Sequence, residues 1–151
     1  MRAFVLPLIA LGFGLGAAGA AGAAPIKPET AVAYRQGIYH AILWNFGPMA
    51  QMVQGKQPWN QAAFAQGAAR IAFYSQQLLE GFPPGSLTAR SEAKPAIWEH
   101  WAEFSAKMRD FENASATLAA VAKGGDEAAS KAAFAKTAQT CKSCHDAFRK
   151  E

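Results

Sequence analysis

From Pro28 onward, apolar side chains recur every three or four positions in four stretches, separated by three clusters of glycine and proline at Gly55–Pro58, Gly81–Gly85 and Gly124–Gly125. Spacing of this kind puts apolar groups on one face of a helix, and the clusters end each run. The first stretch aligns Val32, Tyr39, Ile42, Phe46, Met49 and Val53, with Arg35 on the same seam. Pro48 lacks an amide donor, so a kink or a break is expected at Gly47–Pro48. The second stretch starts with Asn60 as N-cap, runs to Gly81 and buries Phe64, Ala68, Ile71 and Leu78. A third begins near Pro95 and carries Ile97, Trp101, Phe104, Met108, Phe111, Leu118 and Ala122. Gly124 is expected to supply its left-handed cap and Asp126 to open the last helix, whose seam is Phe134, Ala138, Cys141, His145 and Phe148. Four amphipathic helices with short connections bury their stripes most simply as an all-α, antiparallel up-down-up-down bundle. Met and aromatic positions on the seams read as core packing, Met49 and Met52 among them.

Composition adds one segment to this picture. Arg2, an apolar run from Ala3 to Gly16 and an Ala/Gly tract to Ala24 have the order of a secretory signal peptide, too short to span a bilayer comfortably. Cleavage is expected after Ala23, dividing the chain into a signal (1–23) and one domain (24–151) exported to the periplasm rather than embedded in a membrane. Removing Arg2 leaves 14 basic against 11 acidic side chains, a net of +3. That excess can steer an acidic redox partner. It is no nucleic-acid footprint, because no Lys/Arg stripe with interleaved aromatics is present.

The chemistry concentrates at Cys141-Lys142-Ser143-Cys144-His145, a C-x-x-C-H run of the kind that attaches c-type haem. On a helix, the cysteines at i and i+3 reach two vinyl groups along one haem edge, and His145 lies over the ring as axial ligand to iron. Three rivals compete with this reading. A disulfide would close too small a loop to constrain the chain much. A redox dithiol requires a strand before the motif and a helix opening at it. Structural zinc requires four ligands, and the chain has only two cysteines.

With the signal segment, the bundle, C-x-x-C-H in the last turns, Phe148-Arg149 after it, Tyr34-Arg35-Gln36, Asn45-Phe46-Gly47 and Lys94-Pro95, the chain resembles cytochrome c′ along essentially its whole mature length. Phe148 stands where family members often have tyrosine. The resemblance implies one covalent haem c, with the first helix across its distal face and Tyr39 nearest the iron. A neutral phenol is a poor ligand, so five-coordinate, high-spin iron under an aromatic roof is expected, open to NO or CO. His40, about 100° around the helix from Tyr39, is the rival sixth ligand. Low-spin relatives of the cytochrome c556 type place a Met near this position, and a dedicated electron carrier of that type is the alternative function.

The resemblance further implies that Arg35 and Gln36 meet the haem propionates, Arg35 by bidentate pairing, and that Arg149 lies beside the His145 imidazole. It also implies a homodimer through the first two helices. The distal neighbourhood of Tyr39, Ile42 and Leu43 offers at most one phenol for proton transfer, so no enzymatic role is expected. Small redox proteins are the expected macromolecular partners.

Overall fold

The computed structural model describes residues 26–150. The signal-peptide reading of residues 1–23 lies outside them. Five helices follow in chain order: α1 Pro28–Val53, α2 Gln61–Ser75, α3 Ala96–Glu99, α4 Trp101–Gly124 and α5 Glu127–Phe148, with a 3-10 turn at Leu79–Gly81. The four long ones form the antiparallel bundle the seams predict. Its core holds Ile42, Met49, Phe64, Ala68, Ile71, Leu78, Ile97, Phe104, Met108, Leu118 and Phe134. Met49 and Met52 are packing residues, buried beside α2.

Local signals set most boundaries. The Asn60 side chain accepts from the Ala63 amide at 3.0 Å and Asp126 from the Ala129 amide at 2.9 Å, each satisfying a donor that a helix start leaves free. Gly125, not Gly124, takes the left-handed conformation that ends α4 (φ 85°); Gly124 is the last helical residue.

Besides that cap, three expectations met a more particular outcome. Of the kink or break expected at Gly47–Pro48, the break does not occur, and α1 runs on as one helix. The carbonyl of Trp44, which an amide at position 48 would have met, belongs to an exposed stretch open to solvent. α2 ends at Ser75 rather than Gly81. There the Ser75 hydroxyl bonds back to the Ala72 carbonyl and across to Ser115, both at 2.9 Å, offering the backbone an alternative to continued helix. Gly81 serves another purpose: a Cβ on it would lie 2.7 Å from the Arg35 Cβ, so glycine lets the chain press against α1. Third, the predicted third helix is two: His100 (φ −118°, ψ 46°) separates α3 from α4. The phase change turns Trp101 outward to 40 % exposure, although its spacing from Ile97 put it on the seam.

Candidate haem site

The inward faces of α1, α4 and α5, with the connection from Gly81 to Pro95, enclose a cavity of about 510 Å³. Arg35, Gln36, Tyr39, Cys141, Cys144, His145 and Arg149 all line it, so every residue singled out from the sequence converges on one space. His40 borders it as well. The rest of the wall is largely apolar, with Ile42, Phe46, Leu78, Phe82, Ile97, Phe104, Met108, Phe111 and Phe148. Aromatic contacts stiffen that wall. Phe46 on α1 stacks on Phe134 of α5 with centroids 4.2 Å apart, and Phe104 meets the rings of Phe82 and Phe148 edge to face at 4.8 and 5.3 Å.

The cysteines lie in the later turns of α5, three residues apart and not joined to one another. Burial pushes both thiols up, Cys144 to about 11 despite the ammonium of Lys107. Before haem attachment, burial thus favours the protonated form of both. A redox dithiol is activated by a lowered pKa, commonly at a helix N-terminus, and this pair has neither feature. Among the described residues no three His, Cys, Asp or Glu side chains gather as a metal site. Burial also holds the His145 imidazole below its ordinary value; Arg149 adds to that shift, and Asp146 and Glu92 oppose it. A neutral imidazole presents the lone pair that a metal requires. Arg149 thus stands within electrostatic reach of His145.

Tyr39 projects from α1 into the same cavity. Burial raises its phenol above the ordinary range, and the neighbouring Cys144 and Cys141 add to that, so the hydroxyl keeps its proton.

Arg35 is 3 % exposed and forms no ion pair with a described residue. Its Nη1 donates to the Gly81 carbonyl (2.9 Å) and Ser86 Oγ (3.0 Å), and its Nη2 to the Ser86 carbonyl (2.8 Å) and Ser91 Oγ (2.8 Å). The guanidinium lies over the Phe82 ring at 4.7 Å from its centroid. Most of its donors thus hold the connection in place, a role the sequence did not suggest. A buried cation among neutral acceptors remains uncompensated in charge, and an anionic group in the cavity would complete it. Gln36 donates to the Arg90 carbonyl at 3.3 Å on the exposed rim.

Size, apolar lining, two thiols, an imidazole and a buried cation at one border fit a haem with its two carboxylates. An antiparallel helical bundle with C-x-x-C-H on the cavity face of its last helix defines a c-type cytochrome of the bundle architecture. Comparison with known proteins agrees. A family model described as Cytochrome C′ matches residues 30–149. The cytochrome c′ of Rubrivivax gelatinosus is 39 % identical over 126 residues, 83 % of this chain and 98 % of that one. The solved cytochrome c prime from Shewanella frigidimarina superposes with a TM-score of 0.81 at 40 % identity, covering 83 % of this chain and 98 % of its own. Nitric oxide and carbon monoxide complexes of variants of the Alcaligenes xylosoxidans protein each superpose with a TM-score of 0.77 at 34 % identity, covering 83 % of this chain and 98 % of theirs. The chain belongs to the cytochrome c′ family, whose members carry one covalent haem c and are a standard example of the up-down-up-down bundle. Cys141 and Cys144 are the chain's two cysteines, so the haem attaches through them.

Four contributors had no sequence signal. Glu92, Ser86 and Ser91 lie in the connection, where polar residues read as solvated loop. Lys107 lies on α4, reaches Ser143 Oγ at 3.0 Å and borders the cavity.

Proposed function

We propose that the protein is a periplasmic mono-haem cytochrome with five-coordinate, high-spin iron, which binds NO or CO on the Tyr39 side and passes single electrons. The observation that carries this reading is the cavity itself, with an imidazole on α5 and a neutral phenol on α1. When bound, the haem supplies a redox-active iron with one protein ligand and a second coordination position. His145 provides the ligand and the cysteine thioethers keep the group in place. Tyr39 presents a protonated oxygen and a ring, neither of which binds iron well at neutral pH. Arg35 supplies positive charge toward the propionates and Gln36 lies at their rim, while Arg149 puts a cation beside the imidazole. The gas complexes of the Alcaligenes xylosoxidans protein support a diatomic ligand for this chain too.

Electron transfer is supported by the cations around the last turns of α5. Lys94 donates to the Asp146 carbonyl at 3.2 Å, Lys107 to Ser143 Oγ and Lys150 to the Ser91 carbonyl at 3.1 Å, so none of the three is spent on a carboxylate. Small acidic redox proteins are the matching partners. An exposed apolar strip of Leu43 (61 %) and Trp44 (80 %) on α1 and Phe73 (62 %) on α2 supports a homodimer through these helices, to be checked by sedimentation of the mature protein. No enzymatic role is assigned.

Optical and EPR spectra of the purified ferric protein test the core of the proposal. High-spin, five-coordinate signals are expected. A low-spin spectrum with a Met or His sixth ligand would refute it in favour of an electron carrier of the cytochrome c556 type.

A further inference from the structure

The connection between α2 and α3 is fastened at both ends of the haem cavity. On the α1 side, Arg35 clasps Gly81, Ser86 and Ser91. Ser91 is the pivot: its Oγ also accepts from the Ala93 amide at 3.1 Å, and its carbonyl accepts from Lys150 Nζ at 3.1 Å. On the α5 side two backbone bonds frame an isolated antiparallel bridge between Ala93 and Arg149. The Lys94 amide donates to the Phe148 carbonyl at 2.9 Å and the Lys150 amide to the Glu92 carbonyl at 2.7 Å.

On that frame Glu92 Oε2 accepts from both Nε (2.7 Å) and Nη2 (2.5 Å) of Arg149. Exposed ion pairs commonly contribute only ~0–1 kcal/mol, because two long side chains lose freedom in meeting. Here the backbone bridge fixes where both side chains start, and one carboxylate oxygen takes two guanidinium donors. Without that grip, Arg149, 51 % exposed and one turn beyond His145, is free to swing into solvent. Glu92 and Arg149 both border the cavity that His145 lines.

We propose that Glu92 is a positioning residue of the haem site, holding the Arg149 guanidinium against the His145 side of the cavity. This rests on the reading of His145 as iron ligand. Its physical content is that the electrostatic influence of Arg149 on the haem depends on Glu92, beyond the separate charge of Glu92. Charges at fixed positions shift a redox equilibrium additively; non-additivity appears only when one substitution moves the other group.

The test is a double-mutant cycle on the holoprotein, with midpoint potentials from spectroelectrochemistry for wild type, Glu92→Gln, Arg149→Gln and the double variant. Arg149→Gln should lower the potential when Glu92 is present, because a cation near the iron is lost. In the Glu92→Gln background the same substitution should have less than half that effect. An equal effect in both backgrounds overturns the proposal, as does no effect in either. All four proteins are expected to keep haem through acid-acetone extraction, since neither residue is a point of attachment. Loss of haem from the wild type would overturn the site reading and this proposal together.

Discussion

Replacing Tyr39 by Ala separates a gate from a brick. The ring is half-buried on α1 and faces the cavity, so its removal deletes distal cover without opening the packed core around Phe64 and Phe104. If the ring roofs a vacant coordination position, a diatomic must push it from its bed. Lifting an aromatic side chain of this size out of apolar contact costs about 1.5–3 kcal/mol. A barrier contribution of that size corresponds to roughly 10- to 150-fold in rate. Tyr39→Ala should therefore speed CO association with the ferrous protein by at least about tenfold in flash photolysis. Its stability cost should stay near ~1–2 kcal/mol, below the 3–5 kcal/mol of a fully enclosed aromatic, because one side of the ring borders a cavity rather than packed protein. Tyr39→Met should shift the ferric spectrum toward low spin, since a thioether on this face can bind iron. A CO rate within about twofold of wild type, with a stability loss near 3–5 kcal/mol, would refute the roof and leave Tyr39 as packing.

Arg35→Met strands three oxygens, those of Gly81 and the two of Ser86, and takes one of two donors from Ser91 Oγ, which keeps the Ala93 amide, while relieving a buried charge. A net loss of about 2–4 kcal/mol in urea unfolding is expected, with faster amide exchange across residues 81–91; unchanged exchange there would contradict the clasp. Replacing both Cys141 and Cys144 by Ala should leave haem extractable or absent, whereas the native protein should hold one haem mass through acid acetone. The exported protein should begin within about two residues of Ala24 by intact mass, and retention of Met1 through Ala20 would end the signal-peptide reading.

The bundle was legible because its seams are long and regular. Three-four spacing survives in Val32–Met49, Phe64–Ile71, Phe104–Leu118 and Phe134–Phe148, and nothing local competes with it. Boundaries were less so: the Ser75 hydroxyl and the dihedral break at His100 act through backbone alternatives that periodicity does not register. At the site, the attachment run was legible since its spacing is its chemistry, and Tyr39, Arg35, Gln36 and Arg149 came from likeness to the family. The unread part is the connection. Ser86, Ser91 and Glu92 carry no motif, and only the fold brings them to Arg35 and Arg149.

The placement of both cysteines within the last turns of α5 has a consequence for refolding. A dissociable cofactor must be recaptured from solution, and its occupancy follows concentration. Here the group that fills the cavity stays on the chain through denaturation. Closure of α1 over it becomes an intramolecular event, at an effective concentration fixed by about 100 residues of intervening chain, and chain length enters that loop-closure cost only logarithmically. Dilution leaves the rate of that intramolecular step unchanged, and refolding needs no haem from solution.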